Sequence, residues 1–281
     1  MRSTEQDRLG PFLDSLVDRF EDPSYIHLDP IAIPHGFDDP RDQEVIGLYS
    51  ALLAWGRRET ILSKMEEMCD RMRYRPYRFV RDFRASRDAE ALAGFKHRTF
   101  NEQDALWLTK NLSLLLEECV TVEAAFAMHL PSDASTTGPA IEGFSRSILT
   151  VHPSTPRRLG KHIARPSAGS ACKRLNMYLR WMVRPGPFDL GIWSAFDRRS
   201  LVVPLDVHSG TQGRRLGLLR RASNDWKAAI ELTESCRQLD AADPCRYDLA
   251  LFGIGAYDVR IPAGFLSSDA APEATDTYSR S

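Results

Sequence analysis

Apolar residues recur at three- and four-residue spacing along most of the chain. Val45, Leu48, Tyr49 and Leu52 form one stripe, Leu108, Leu112, Leu115, Leu116 and Cys119 a second, and Ala171, Leu175, Tyr178, Leu179 and Met182 a third. This period puts each set on one face of a helix. The segments Asp225 to Gln238 and Arg246 to Ala256 read as two more helices, separated at Asp243-Pro244, and the opening MRSTEQDRLGPFLDSLVDRF reads as a short amphipathic one. Strand-like alternation is scarce, so the pattern predicts an all-α protein. Pro23, Asp29-Pro30, Pro34 and the stretches PSDASTTGP (131–139), HPSTP (152–156) and RPGP (184–187) mark loops. One helical domain is expected over residues 1–261, while residues 262–281, small and polar, are expected to form a disordered tail.

Composition narrows the class. With 281 residues, 43% of them apolar, the chain can bury a sizeable core. No apolar run approaches the roughly 20 residues of a membrane-spanning helix, and no signal-peptide h-region is visible, so a cytoplasmic protein without a membrane partner is expected. Cys69, Cys119, Cys172, Cys236 and Cys245 are widely spaced and include no C-x-x-C pair. That argues against a disulfide framework, a four-cysteine zinc site and an iron–sulfur cluster, so neither a metal nor a cofactor is expected. The net charge of -1 argues against a polyanionic partner only until it is resolved by segment. Residues Arg157 to Lys227 hold 15 Lys or Arg against four acids, a balance of +11, which leaves -12 for the rest; Arg71 to Arg98 adds a second basic run of +6. Two basic stretches in a neutral chain fit a polyanion footprint, with a solvated charged face as the plainer alternative.

The basic segment has an ordered plan: a helix expected over Pro156 to Ala164, a small-residue turn RPSAGSA (165–171), a second helix expected over Cys172 to Arg184, and later PLDVHSGTQGRRLGLL (204–219). Such a turn can offer backbone N–H groups to a phosphate, aided by the dipole of the following helix. At about 100° per residue, Lys173, Arg180 and Arg184 lie opposite the apolar stripe and are expected to face away from the core. An amine attacks only when deprotonated, and cations near a helix amino terminus, here Arg174 and Arg180, favour that form. A solvated or phosphate-contacting lysine is the simpler account of Lys173 alone. Asp206, between Pro204-Leu205 and a Gly-punctuated helix, reads equally as a helix N-cap, a role compatible with chemistry.

On these residues the chain resembles the helix-hairpin-helix DNA glycosylases of the endonuclease III superfamily. LDVHSGTQGRRLGLL is similar to their V-D-T-H-x-x-R-x-x-x-R-L-G-L segment, with Asp206 on the essential Asp, His208 on the His and Arg215-Leu216-Gly217-Leu218 on R-L-G-L. GSACKRLNMYLRWMV is similar to the hairpin and following helix, and places Lys173 on the catalytic lysine of the bifunctional members. YSALLAWGRRETILSKM resembles the helix lining the DNA-facing cleft, with Trp55 where that family inserts a Gln between bases. The resemblance covers roughly residues 43 to 256. Departures are the Ala171 in place of the second hairpin Gly, Pro166-Ser167-Ala168 in place of the usual approach, and a 33-residue separation of Lys173 and Asp206, which is similar to that of the archaeal 8-oxoguanine DNA glycosylases. Together with AWGRRE, HRTFN and KRLNMYLRWMVR, the pattern is most similar to an uncharacterised bacterial family related to these enzymes.

The resemblance implies two helical lobes around a cleft and a bifunctional glycosylase and abasic-site lyase. A damaged base of double-stranded DNA, for example 8-oxoguanine, would be flipped out; Lys173 would attack C1′ to give a Schiff base, and Asp206 would stabilise the cationic sugar and assist proton transfer. It further implies DNA contacts from Gly169, Ser170, Arg174, Arg180, His208, Arg214 and Arg215, and a stacking or wedging role for Trp55. Core packing competes for Trp55, a backbone hydrogen bond for His208 and solvated surface charge for Arg214 and Arg215. Two other readings stay open: a non-catalytic helix-hairpin-helix module binding DNA or RNA, and a helical interaction protein docking an acidic partner.

Overall fold

A computed structural model of the chain describes residues 2–267, with side chains described from residue 8 onward. Among them are thirteen α-helices: α1 (Arg2–Phe20), α2 (Ala32–His35), α3 (Pro40–Leu53), α4 (Arg58–Arg71), α5 (Pro76–Arg81), α6 (Ala85–Asp88), α7 (Glu102–Cys119), α8 (Val122–Ala127), α9 (Gly138–Thr150), α10 (Lys173–Val183), α11 (Val207–Arg215), α12 (Trp226–Leu239) and α13 (Tyr247–Ala256). The described strands, β1 (Lys96–His97) and β2 (Phe100–Asn101), pair antiparallel in one small hairpin. None of the described helices is long and apolar enough to cross a membrane.

Local chemistry starts these helices. Asp39 accepts the Arg41 N–H ahead of α3, with Pro40 in the first turn. Asn101 and Asp104 form a reciprocal capping box on α7, and Asp206 and Ser209 form another on α11. The segment His97 to Asn101 is thus a hairpin leading into a helix cap.

Two helices organise the core. In α3 ten of fourteen residues are buried, and α10 is buried continuously from Leu175 to Val183, including Trp181. They pack on each other, and α1 and α11 both pack on α13. Gly253 of α13 meets α1 so closely that a Cβ there would lie 2.2 Å from the Phe20 ring. Glu44 of α3, buried, accepts N–H bonds from Val122 (3.0 Å), Glu123 (3.3 Å) and Trp193 Nε1 (2.7 Å), tying α8 and the loop after α10 to the centre.

The polar side of α10 departs from the wheel. Arg180 and Arg184 do not face solvent; they are 4% and 3% exposed. Arg180 pairs with Asp189 (3.2 Å) and Asp248, while Arg184 pairs with Asp189 (2.7 Å), Asp243 (2.9 Å) and Glu21 (3.0 Å). A wheel records which face is polar, and here that face is covered by carboxylates from the residue after α1, from α13 and from the connecting loops. Two boundaries also move. The helix expected over Pro156 to Ala164 is a 3-10 turn, Arg157–Lys161, because Gly160 weakens it and Pro166 holds Arg165 extended. The tail expected to be disordered from Pro262 is docked as far as Ser267: Phe265 stacks on Phe12 at 5.1 Å and the Ser267 N–H donates to the Arg215 carbonyl at 2.8 Å. The rest of that expected tail lies outside the described residues.

Removing one member of a buried charge network strands its partners, at a cost of about 3–5 kcal/mol. Arg184→Ala is therefore expected to lower the unfolding free energy by about that amount, read from guanidinium denaturation. A midpoint unchanged from wild type would show that the network does not stabilise the fold.

Candidate functional site

The helix α10 begins abruptly. Cys172 adopts a left-handed backbone conformation (φ 50°) and offers no side-chain cap, so the Lys173 side chain leaves from the first helical position and is one third exposed. Its Nζ lies 3.3 Å from the Met177 sulfur and 3.9 Å from Asp206 Oδ2. A thioether is a weak acceptor, so Asp206 is the principal charged neighbour. Residues Leu201 to Leu205 are buried, and the chain emerges at Asp206. There Oδ1 accepts the Ser209 N–H (3.0 Å) and hydroxyl (3.3 Å), the Ser209 hydroxyl accepts the Asp206 N–H (2.9 Å), and Asn224 Nδ2 donates to the Asp206 carbonyl (2.8 Å). One oxygen thus fixes the carboxylate as a cap while the other is aimed at Lys173. The N-cap role expected of Asp206 is observed, and the approach to Lys173 is compatible with it.

The pair lies at a pocket walled by Phe20, Tyr25, Phe188, Phe252 and Tyr257. Phe20 and Tyr257 are stacked at 5.2 Å, and Tyr25 stands edge-on to both. Arg58, Lys173 and Arg180 oppose Asp29, Asp206 and Asp248 around the same space, so the lining charges balance. Burial pushes the Asp248 carboxyl up to about 6, against the neighbouring Arg180, with Asp206 adding to the rise. An amine and two carboxylates, one of which exchanges its proton near neutral pH, beside an aromatic cavity provide a nucleophile, a proton acceptor and a stacking surface for a flat ligand.

Several residues singled out from sequence lie elsewhere. Arg174 turns to the other side of α10, donates to the carbonyls of Leu52 and of His162 (3.3 Å), and covers the Trp55 ring at 4.8 Å. Trp55 is half-buried, stacked on His162 (5.9 Å) and edge-on to His97 (4.9 Å). Its faces are thus engaged by side chains of the protein, and packing is the role the structure gives it. Arg180 lines the pocket from beneath, locked between Asp189 and Asp248. Gly169 and Ser170 form the exposed turn before α10, but the Trp226 N–H donates to the Gly169 carbonyl (3.2 Å) and Ser170 pairs with Asp225. Beside them Glu142 accepts the Ser167 N–H (3.0 Å) and hydroxyl (2.8 Å), so an internal carboxylate holds a position that a phosphate would take. His208 is exposed on α11, with its ring near Gly255. Arg214 donates to the Arg221 carbonyl (2.8 Å) and Asn224 (2.7 Å), and Arg215 to Gln212 (3.0 Å).

Arg58, Asp248 and the aromatic wall were not singled out from sequence. Asp248 had a signal, as the one acid in the otherwise apolar YDLALFGIGA. The aromatics had none, because their convergence joins α1, α13 and two loops. Among the described residues no group of three or more His, Cys, Asp or Glu could hold a metal ion, and the five cysteines are free.

Fold and site together define an all-helical protein with a lysine–carboxylate pair beside an aromatic pocket. The chain belongs to the family of proteins of unknown function DUF2400, whose model matches residues 29–257 and so includes Lys173, Asp206 and Asp248. No curated protein and no solved structure matches the chain.

Because the folded state holds the Asp248 proton more tightly than the unfolded chain, its contribution to stability is full below about pH 4 and is lost as pH rises through about 6. The stability difference between wild type and Asp248→Asn is therefore expected to shift in favour of the variant by on the order of 3 kcal/mol between pH 4 and pH 7. Parallel stability–pH curves from urea titrations would count against a raised Asp248.

Proposed function

We propose that this protein is a DNA glycosylase with abasic-site lyase activity, built on a helix-hairpin-helix glycosylase-like fold and acting in the cytoplasm on double-stranded DNA. The observation carrying this reading is the 3.9 Å approach of Lys173 Nζ to Asp206 Oδ2 at an aromatic-walled pocket, with both residues on the motifs that resemble the glycosylase family. A flipped purine is flat and polar at its edges, and the pocket offers stacked rings with three cations and three carboxylates around them. An oxidised purine such as 8-oxoguanine is the proposed lesion.

In the reaction, Asp206 accepts a proton from the Lys173 ammonium, freeing the amine lone pair. That pair forms the bond to C1′ while the glycosidic electrons leave with the base, which takes this proton from Asp206 and so restores the carboxylate. Asp206 stabilises the positive charge on the sugar as the bond breaks. Opening of the sugar ring and loss of the second amine proton give the imine, and removal of a C2′ proton expels the 3′ phosphate. Cap bonds to Ser209 hold the carboxylate in place throughout, so no reorganisation is needed as charge develops. The hairpin carries less of this reading than the pair does, because Glu142 engages the Ser167 amide.

Borohydride reduction during incubation with a duplex containing an abasic site or 8-oxoguanine is expected to trap a covalent protein–DNA adduct. Lys173→Gln should abolish the adduct, and Asp206→Asn should slow its formation by roughly 10²- to 10⁴-fold, the usual contribution of a positioned proton-transfer group. Absence of any adduct across a panel of lesion and abasic duplexes would end the lyase reading.

A further inference from the structure

Many arginines of the basic segment are occupied within the protein, but the turn between α3 and α4 is different. Arg57 and Arg58 are exposed there, and Arg98, at the tip of the β1–β2 hairpin, reaches back over the same turn. Among the described residues the side chain of none of the three has a carboxylate or hydrogen-bond partner. Glu59 is the only acid between residues 54 and 65. Arg58 also lines the pocket that holds Lys173 and Asp206, so this cluster borders the proposed chemistry.

The backbone is shaped to keep these cations together. Gly56 has φ +109°, and a Cβ at that position would lie 3.1 Å from both Cδ and Nη1 of Arg98. Glycine therefore satisfies the turn and leaves the room that the Arg98 side chain occupies. Arg98 itself sits at φ 53°, a left-handed conformation that a long side chain adopts only at a conformational cost. An unpaired arginine held at a strained position is poorly explained by stability. The α4 amino terminus, whose N-cap residue Arg57 makes no side-chain cap bond, adds its uncompensated N–H groups at the same place.

We infer that the Gly56 turn, with Arg57, Arg58 and Arg98, grips the phosphate backbone of duplex DNA beside the pocket, in place of the hairpin at Ser167 to Ser170. This rests on the proposed function for its choice of partner and assigns the positioning surface of that site. Three guanidiniums on a turn match a phosphate array better than a single anion, and the hairpin amide that would compete is engaged by Glu142.

The test measures binding of the full chain to a fluorescein-labelled duplex with one abasic site, over about 50–200 mM salt. Wild type is compared with Arg57→Ala/Arg98→Ala and with the hairpin variant Ala168→Glu, each checked for an unchanged unfolding midpoint. Loss of two phosphate contacts is expected to weaken binding about tenfold per arginine and to reduce the slope of log K against log salt by about two, while Ala168→Glu leaves both near wild type. Unchanged affinity and slope in Arg57→Ala/Arg98→Ala overturns the inference even if the borohydride adduct forms, in which case the lyase reading stands. The expected loss without any adduct supports the inference and removes the lyase reading. A wild-type chain with no affinity for the duplex at the lowest salt overturns both.

Discussion

The buried charge network on α10 is the constraint from which the site follows. Two guanidiniums, Arg180 and Arg184, share the carboxylate of Asp189 and are further held by Asp248, Asp243 and Glu21. Desolvated charges tolerate little displacement, since each lost contact leaves an uncompensated ion in a low-dielectric interior. The network therefore fixes α10 against α1 and α13 and against the loop that follows it. Lys173 stands at the first position of this helix, so its reach toward Asp206 is set by a framework several turns away. The same network supplies a pocket wall, because Asp248 faces both Arg180 and the cavity.

That arrangement changes what the charge distribution means. The segment Arg157 to Lys227 is strongly basic in sequence, yet Arg158, Arg180 and Arg184 are partnered by Asp104, Asp248, Asp243 and Glu21, all from outside it. Folding brings acids from outside the segment onto these three arginines, so their charge is compensated within the protein. The short turn at Gly56 contributes few charges to any count, but its arginines stay exposed and unpaired. For a polyanion it is the unpaired charge at the surface that matters.

The positions of most long helices were legible in the sequence because burying one face requires a 3.6-residue period, and α3, α7, α10, α12 and α13 follow theirs within a residue or two at most ends. Lys173 and Asp206 were legible for a different reason. Each sits at a helix start with a local signature, a small-residue turn before one and an Asp-x-x-Ser cap at the other, and both fall on motifs of recognisable order. Whether two residues 33 positions apart meet is not a local property, and nothing in the spacing required 3.9 Å between them.

The sequence by itself thus determined the helical class, the main apolar faces and the local settings of Lys173 and Asp206 at the candidate site, since these depend on periodicity and on short-range hydrogen bonding. Only the tertiary structure decided which polar faces are covered, and so made Arg180 and Arg184 interior ions, turned Arg174 and Trp55 toward each other and placed Glu142 on the hairpin amide. It also gathered Phe20, Tyr25, Phe188, Phe252 and Tyr257 into one wall. The physical reason is common to all of these. A side chain's neighbours across the fold come from distant segments, and their desolvation and pairing energies outweigh the local preference that a helical wheel records.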